Sequence, residues 1–387
     1  MQKCIKCGKV DGIIKAGFLR GQQRFHCKLC NHHFVNEISA AETSTKENSQ
    51  ITIIDVAKHL GVSVSTVSRA LNNKTDINPK TKDAIIQAAL DLDYKPNFLA
   101  QSLHKGSTHT IGVIIPDVEH PFFAAVLAGI QQVANNTGYR IIVCHSNESH
   151  RIEVLNTETL MACRVDGLLI SHSKETISFE HIRKLTEKGI PVVQYDRINT
   201  EINTPNVIHQ DFKGSFDLVE HLIAQGCKRI GMMSGPKDML ICKSRIEGYK
   251  SALQKHGIKI NEDYIVHSDI SKGSGSKTLE YFLNLSNPPD GIFTILNRNA
   301  IEMMRAAKVK GIKIPDDIAF AGFGDDILAE YFEPSLTVFN HFPTKIGEAA
   351  TRILIEFINN RKNFVPYNQI IEGELIIRES SLKRSKS

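Results

Sequence analysis

The sequence predicts a multidomain protein in which a small Cys4 zinc module and an all-α helix-turn-helix head precede a larger α/β body. Three observations lead to this prediction. Two Cys-x-x-Cys pairs lie within the first 30 residues, and two short amphipathic patterns joined by a glycine follow at 53–71. From about residue 110, short apolar runs alternate with longer amphipathic segments, a pattern typical of parallel strands covered by helices.

Length and composition set the first limits on function. A chain of 387 residues, 41% hydrophobic and 23% charged, exceeds one average domain and has an ordinary globular composition. No apolar run approaches the roughly 18–20 residues that span a bilayer. The first residues, "MQKCIKCGKV", are polar and basic and lack the apolar core of a secretory signal. We therefore expect a cytoplasmic protein without membrane contact.

Positive charge is concentrated at the front of the chain. Residues 1–36 carry seven Lys and Arg residues against a single acid, whereas the chain from 106 onward is nearly neutral. A basic front on a neutral body predicts a polyanion-binding head. The alternative is that the basic residues only aid solubility.

The spacing of the paired cysteines, C-x2-C-x19-C-x2-C, suits a tetrahedral Zn²⁺ held by two turns. The predicted ligands of this zinc cofactor are Cys4, Cys7, Cys27 and Cys30. A redox-active pair is the alternative. Because four thiolates complete the coordination, His26, His32 and His33 are expected to be surface or packing residues. The four single cysteines are expected to be buried as small apolar residues: Cys144, Cys163, Cys227 and Cys242.

The front of the chain resembles the zinc ribbon of some insertion-sequence transposition proteins. The resemblance lies in "CIKCGK" and "GIIKAGFLRGQQRFHCKLCNHHF" and covers less than a tenth of the chain. It implies a nucleic-acid-binding module at 1–36 without transposase chemistry. The following residues, 37–50, are small and polar and predict a flexible linker.

A helix-turn-helix head is predicted at 51–97. The first helix carries Ile54, Val56, Ala57 and Leu60 and ends at Gly61. Ser63 caps a second helix whose inner face bears Val67, Ala70 and Leu71. A third helix is expected from about Pro79 to Leu92, with Ile85, Ile86 and Ala89 facing inward. This arrangement matches the motif that places its second helix in the DNA major groove.

The chain is similar to the LacI/GalR family of bacterial transcription regulators over residues 51–381. The resemblance lies in "TIIDVAKHLGVSVSTVSRALN", "DYKPNFLAQSLHKG", "TIGVIIPDVEHPFFAAVLAGIQQVANNTGY", "VDGLLIS", "SRIEGYKSAL", "IPDDIAFAGFGDD" and "EGELIIRESS". It implies a homodimer that binds double-stranded operator DNA and a small-molecule effector. It also implies that the α/β body is a pair of Rossmann-like lobes of the periplasmic-binding type.

The resemblance implies a set of DNA contacts. Val64 and Ser65 occupy the base-contacting positions of the recognition helix, and Arg69 lies beyond them. An arginine there can bind guanine bidentately. The expected phosphate contacts are Thr52, Ser63, Thr66 and Ser68, and Asn72 completes the surface. Residues 98–108 resemble the family's hinge helix, in which Ala100 and Leu103 enter the minor groove. A plain linker helix is the alternative.

The effector-binding and dimerisation domain is predicted at 109–387. We expect three crossings between its lobes, near residues 208, 335 and 363. Lobe 1 would then comprise about 109–208 and 336–363, and lobe 2 about 209–335 and 364–381.

The resemblance also implies the effector site between the lobes. The expected contacts are Phe122, Phe123, Asp196, Arg197, Arg245 and Asn297. One of the two phenylalanines is expected to pack in the core, and a surface salt bridge is the alternative role for Arg245. Asn297 stands where the family often has Asp, and Ile270 where it often has an aromatic. These departures favour an anionic or phosphorylated metabolite over a simple neutral sugar.

No enzymatic motif accompanies these features. The chain lacks a Walker loop, a G-x-S-x-G elbow and an H-E-x-x-H motif, so we expect no catalysis. A solute-binding protein and a transposition accessory factor are the rival interpretations of the whole chain. The ribbon could also dock a protein partner such as polymerase.

Overall fold

The computed structural model describes residues 3–19, 22–35, 51–95 and 107–383. The predicted linker at 37–50 and the predicted hinge residues Ala100 and Leu103 lie outside these ranges. The chain divides into two compact units, Met1–Asn97 and Phe98–Ser387, and each is considered by itself.

The first unit begins with a three-stranded antiparallel sheet. Its strands are β1 (Ile13–Leu19), β2 (Gln22–Cys27) and β3 (His32–Val35), hydrogen-bonded in that order. Phe25 and Phe34 face each other across β2 and β3 and are buried with Cys4 and Cys27. So few apolar residues give almost no core, which is usual for modules that a metal stabilises.

Three helices follow in the same unit: α1 (Ile53–Leu60), α2 (Val64–Leu71) and α3 (Pro79–Asp91). Gly61 ends α1 in the left-handed conformation, with φ 65°. The shared core contains Val56, Ala57, Val67, Ala70, Ile85 and Ala89. The sequence expectation that Ile86 faces inward is wrong, because this residue is 39% exposed. The buried face of α3 passes through Ile85, Ala88 and Ala89, and Ile86 lies outside it.

The second unit contains two α/β lobes. Its first elements are β4 (Thr110–Ile115), α4 (Pro121–Asn136), β5 (Arg140–His145), α5 (His150–Ala162), β6 (Gly167–Ile170), α6 (Glu180–Glu187), β7 (Val192–Tyr195) and β8 (Asn206–His209). Next come α7 (Asp211–Ala224), β9 (Ile230–Ser234), α8 (Leu240–Lys255), a 3-10 turn (Glu262–Tyr264), β10 (Ile265–His267), α9 (Ser274–Leu283) and β11 (Gly291–Thr294). The last elements are α10 (Asn297–Val309), β12 (Ala319–Phe323), α11 (Ile327–Tyr331), β13 (Thr337–Asn340), α12 (Pro343–Asn359), β14 (Asn368–Ile371) and β15 (Glu374–Ile376).

These strands form two six-stranded sheets. The sheet of lobe 1 has the order β14-β8-β7-β6-β4-β5 and is parallel throughout. The sheet of lobe 2 has the order β10-β9-β11-β12-β13-β15, with β15 antiparallel at its edge. Parallel strands end at the same edge of their sheet, so the loops after β4 and β7 lie together in lobe 1 and those after β11 and β12 lie together in lobe 2.

The chain crosses between the lobes three times. It leaves lobe 1 between His209 and Asp211, close to the predicted position 208. The predictions of 335 and 363 are too early. Strand β13 still pairs with β12 in lobe 2, and β14 pairs with β8 in lobe 1. The second and third crossings therefore lie at 340–343 and 371–374.

Glycines let one helix pair in each lobe pack backbone to backbone. A Cβ on Gly129 of α4 would lie 2.1 Å from the Thr344 carbonyl oxygen of α12. A Cβ on Gly248 of α8 would lie 2.3 Å from the Phe212 carbonyl oxygen of α7. These close approaches fix α4 and α8, the helices that carry Phe122 and Arg245.

The single cysteines and the helix lengths test two further expectations. Cys227 and Cys242 are buried and Cys144 is half buried, but Cys163 is exposed, so the expectation of burial is wrong for Cys163. None of the helices in the described ranges is both long and apolar enough to span a bilayer.

Candidate functional site

The residues assigned to DNA contact surround the start and outer face of α2. Ser63 caps this helix by accepting a hydrogen bond from the Thr66 backbone N–H at 3.1 Å. Val64 and Ser65 are exposed, whereas Thr66 and Ser68 are half buried. Thr52 caps α1 in a reciprocal arrangement with Asp55, and Asn72 donates from Nδ2 to the Ser68 carbonyl oxygen at 2.8 Å. The cap at Ser63 therefore holds short polar side chains on one solvent-facing surface.

Arg69 extends from the same surface and has an intramolecular partner that the sequence analysis missed. Its Nη1 lies 3.1 Å from Asp76 Oδ2, and both side chains are about half exposed. An exposed ion pair of this kind contributes about 0–1 kcal/mol. The pair can therefore orient Arg69 and still release it to another acceptor at little cost.

The four paired cysteines meet at one end of the small sheet. The Sγ atoms of Cys4 and Cys30 are 3.5 Å apart, and those of Cys7 and Cys27 are 3.7 Å apart. All four sulfur atoms lie within 4.8 Å of one another, and none forms a disulfide. Tetrahedral Zn–S bonds of about 2.3 Å place neighbouring sulfurs about 3.8 Å apart. The four thiols therefore fit a tetrahedral metal ion.

All six residues assigned to the effector line one cavity of about 220 Å³ between the lobes. Phe122 and Phe123 come from the start of α4, and Asp196 and Arg197 follow β7. Arg245 comes from α8, and Asn297 begins α10. The sequence analysis missed further lining residues, namely His120, Phe323, Asp325, Asp326 and His341.

The two phenylalanines have different surroundings. Phe123 is buried within the apolar core of lobe 1. The half-buried ring of Phe122 stacks on His341, with the two planes 3° apart and the centroids 4.9 Å apart. Since His341 follows β13 of lobe 2 and Phe122 belongs to lobe 1, this stack joins the two walls of the cavity.

A chain of buried charged groups runs beneath the cavity. His209 Nε2 lies 3.0 Å from Asp196 Oδ1, and His209 Nδ1 lies 3.1 Å from Asp211 Oδ1. The first contact is a hydrogen bond, whereas the angle of the second makes it an ion-pair contact only. Asp211 Oδ1 in turn accepts a hydrogen bond from Arg245 Nε at 2.7 Å. The chain spans the first crossing, since His209 ends β8 and Asp211 begins α7.

The charge chain determines the protonation of its members. Burial alone would lower the pKa of His209, but Asp211 and Asp196 outweigh it and raise the pKa to about 9. Burial likewise opposes ionisation of Asp211, yet the charges of His209 and Arg245 hold its pKa below the usual range. At neutral pH a protonated His209 therefore lies between two carboxylates.

Arg245 is locked in place rather than exposed. It is 3% exposed, and its Nη1 donates to the Ile295 carbonyl oxygen at 2.6 Å. Its guanidinium carbon lies 3.6 Å from the centre of the Phe323 ring, within cation–π range. The alternative of a surface salt bridge is therefore wrong, because the carboxylate partner, Asp211, is buried as well.

Arg197, which lies in lobe 1 opposite Arg245, is anchored by a residue of its own lobe. Its Nη1 donates to both carboxylate oxygens of Glu148, at 2.8 and 2.6 Å. Its Nε is buried and has no hydrogen-bond partner among the described residues. Two fixed guanidiniums, from Arg197 of lobe 1 and Arg245 of lobe 2, thus line the same cavity.

His341 adds a neutral polar group to the cavity wall. Its pKa lies well below the usual value, first because of burial and then because of repulsion from His209, Arg245 and His120. Its Nδ1 is buried without a hydrogen-bond partner in the described part of the chain. The sequence analysis assigned no role to His209, which ends β8, or to His341, which follows β13.

The two departures from the family pattern differ in importance. Asn297 lines the cavity, and its Oδ1 accepts a hydrogen bond from the Arg298 backbone N–H at 2.6 Å. Ile270 is absent from the residues that line the cavity, and it packs against the core of lobe 2. Only the substitution at Asn297 therefore bears on what the cavity can bind.

Comparisons with known proteins agree with this architecture. Residues 108–379 match the family described as periplasmic binding proteins and sugar binding domain of LacI family, and residues 52–97 match bacterial regulatory proteins, lacI family. The HTH-type transcriptional repressor CytR of Escherichia coli K12 is 30% identical, over 87% of this chain and 98% of its own length. The ribose operon repressor of Halalkalibacterium halodurans is 33% identical, over 85% and 97%.

A solved structure gives the same fold. The lac repressor dimer bound to operator and the anti-inducer ONPF superposes with a TM-score of 0.77 at 24% identity, covering 86% of this chain and 99% of the other. Both curated relatives are named as repressors. With a helix-turn-helix head, two α/β lobes and these matches along most of its length, the chain belongs to the LacI family of bacterial transcription regulators.

Proposed function

We propose that this chain acts as a homodimeric regulator that binds operator DNA through α2 and responds to a small, uncharged metabolite held between its two lobes. The observation that carries the proposal is the convergence of groups from both lobes on one cavity. A ligand there contacts Arg197 and Phe122 of lobe 1 together with Arg245 of lobe 2 and His341 beyond β13. Its binding energy therefore depends on the angle between the lobes.

The lining favours a neutral ligand over the anionic one that the sequence suggested. The sequence suggested a positively charged cavity, because Arg197 and Arg245 are expected there and Asn297 stands where the family often has Asp. In the structure, however, Glu148 and Asp211 already neutralise the two guanidiniums. Asp325 and Asp326 also line the cavity, and only Asp325 has a cationic partner, Arg378, among the described residues. A sugar or nucleoside would offer hydroxyls to these groups and an apolar face to Phe122.

The proposed effector site predicts that Arg245→Lys abolishes ligand-induced stabilisation. A lysine ammonium cannot bridge Asp211 and the Ile295 carbonyl and also cover Phe323. We expect saturating D-ribose or adenosine to raise the thermal midpoint of the wild type by about 5 °C, following RT ln(1 + [L]/Kd), and to leave Arg245→Lys unmoved.

Differential scanning fluorimetry of the full chain would measure these shifts. Arg305→Lys, at an exposed position on α10, is the matched control and should respond like the wild type. Equal ligand shifts in Arg245→Lys and the wild type would place the ligand elsewhere. Stabilisation by D-ribose 5-phosphate alone would restore the anionic interpretation.

For DNA, we propose that α2 enters the major groove with Val64 and Ser65 against base edges and Arg69 reaching a guanine. Ser63 and Thr52 at the two helix starts, together with Thr66, Ser68 and Asn72, would position the phosphates. Support comes from the exposure of this surface and from the weak hold of Asp76 on Arg69. A dimer would bind two half-sites of a pseudo-palindrome, and a role in binding bacterial operator DNA implies a cytoplasmic location.

Arg69→Ala should relax sequence preference while leaving nonspecific affinity nearly unchanged. Loss of a bidentate guanine contact costs about 1–3 kcal/mol of discrimination, or roughly 5- to 150-fold. Selection from a randomised duplex library, followed by sequencing, would show one symmetric pair of positions losing its preference. Gln87→Ala, on the exposed side of α3, is the control. Equal weakening on selected and random DNA would contradict the role of Arg69.

We further propose that Cys4, Cys7, Cys27 and Cys30 hold a structural Zn²⁺ and that the resulting ribbon is an additional anchor for DNA phosphates. The sulfur separations and the very small core support the metal. The anchor is supported by the basic residues of the ribbon, which include Lys3, Lys6, Lys15 and Lys28. When bound, the ion would supply folding energy and no catalysis.

Loss of the ribbon's zinc should weaken DNA binding and flatten its salt dependence. In the full chain, Cys4→Ser with Cys7→Ser should reduce the slope of log affinity against log salt by about 0.9 for each phosphate that the ribbon no longer neutralises. Fluorescence anisotropy at several salt concentrations would measure the slope. Cys163→Ser, at an exposed single cysteine, is the control. An unchanged slope would favour a ribbon that docks a protein partner.

A further inference from the structure

Lobe 1 contains a second cluster of ionisable side chains that the proposed function does not use. It consists of Glu153 on α5, His172 after β6 and His181 on α6, and all three are buried. Buried histidines that converge on a buried carboxylate either form a closed hydrogen-bond network or bind a cation.

The two imidazoles converge on a single oxygen atom. Glu153 Oε1 lies 2.9 Å from His172 Nδ1 and 2.9 Å from His181 Nε2. The three ligand atoms lie within 4.8 Å of one another. The other oxygen, Oε2, accepts hydrogen bonds from the Ser173 backbone N–H at 2.6 Å and from the hydroxyls of Ser173 and Thr176. The carboxylate is therefore fixed through Oε2 and presents Oε1 to the imidazoles.

The far side of His172 is held as metal-bound histidines usually are. His172 Nε2 lies 2.8 Å from Gln194 Oε1, which also accepts from the Asn199 backbone N–H at 2.7 Å. The amide of Gln194 donates to Thr204 Oγ1, so its orientation is fixed. His172 Nε2 must then be the donor. A histidine whose outer nitrogen donates to a carbonyl oxygen directs the lone pair of its inner nitrogen at a metal ion.

A third histidine stands beside the cluster without a partner of its own. His150 lies three residues before Glu153 on the same face of α5. Its Nδ1 is buried and has no hydrogen-bond partner among the described residues. Its ring is edge-on to that of His181, with centroids 5.5 Å apart. His150 therefore borders the cluster, but its nitrogens are not among the ligand atoms that lie within 4.8 Å of one another.

Charge gives the cluster a reason to hold a cation. Glu153 is fully buried, and its two oxygens contact His172, His181, Ser173 and Thr176. In the described ranges no Lys or Arg side chain forms an ion pair with this carboxylate. A buried carboxylate that lacks such a partner can be compensated by a metal ion held between it and the two imidazoles.

We propose that Glu153, His172 and His181 bind a divalent transition ion of the zinc class. Imidazole nitrogens and one carboxylate oxygen are the donor set that such ions prefer. With bonds of about 2.0–2.1 Å, ligand atoms 2.9 Å apart subtend about 90° at the ion, and outward shifts of a few tenths of an ångström reach tetrahedral spacing.

The loop after β6, which carries His172, also contacts residues at the cleft between the lobes. The His172 carbonyl oxygen accepts from Arg197 Nη1 at 3.3 Å, and the neighbouring Lys174 reaches the Asp269 carbonyl oxygen of lobe 2. A cavity of about 410 Å³ is lined by His172, Thr176 and Arg197 and offers an entry path. An ion here would tie α5, α6 and this loop together on the lobe 1 side of the cleft.

Metal content of the full-length chain tests the proposal. After exhaustive dialysis, mass spectrometry should find two zinc ions per chain, one in the ribbon and one in this cluster. Cys4→Ser with Cys7→Ser and, separately, His181→Gln should each reduce the content to one. His145→Gln, at an exposed histidine, should keep both ions.

Cobalt substitution distinguishes the two sites and guards against misfolding. In Cys4→Ser with Cys7→Ser, bound Co²⁺ should show visible d–d bands without thiolate charge-transfer absorption. His172→Gln in that background should weaken cobalt binding by tenfold or more while the circular dichroism spectrum stays unchanged. One zinc per wild-type chain, with no d–d bands in the double cysteine variant, would overturn the proposal and leave a protonated hydrogen-bond network.

Discussion

The structure depends on one buried chain of charges, Asp196–His209–Asp211–Arg245. It lies where the polypeptide first passes from one lobe to the other, so each lobe contributes two members. Removing one partner of a buried ion pair typically costs about 3–5 kcal/mol, because the other charge stays buried without compensation. These four charged residues therefore couple the stability of the crossing to the orientation of the side chains that line the cavity.

The buried chain of charges fixes the positions of two groups that line the cavity. Asp211 aims Arg245, whose guanidinium then covers Phe323, and Asp196 closes the cavity beside Arg197. Burial first, and then repulsion from His209 and Arg245, holds the pKa of His341 well below its usual value. His341 thus stays neutral, and its ring stacks on Phe122. The charged residues at the first crossing therefore influence the charge and the orientation of groups on both sides of the cavity.

Much of this could be predicted from the sequence, and the failures have physical reasons. Strands and helices follow apolar periodicity, and Ser63 and Gly61 mark helix ends through local chemistry, so these elements were predictable. Strand β13 is a short apolar run that could join either sheet, so the second crossing predicted from the sequence lies about five residues too early. His209 and His341 gain their importance only from partners brought together by folding. Asp325 and Asp326 lie in the loop after β12, and no pattern in the sequence placed them at the cavity.

The pH dependence of stability tests the charge chain most directly. A histidine whose pKa rises from about 6.5 in the unfolded chain to about 9 in the folded one stabilises the protein below pH 6.5 and loses this effect as the pH rises towards 9. In urea unfolding of the full chain, the free energy of unfolding of the wild type should therefore fall between pH 7 and pH 9 by about 2 kcal/mol more than that of His209→Asn. The control variant His145→Asn should behave like the wild type. The same loss in His209→Asn and the wild type would contradict the account.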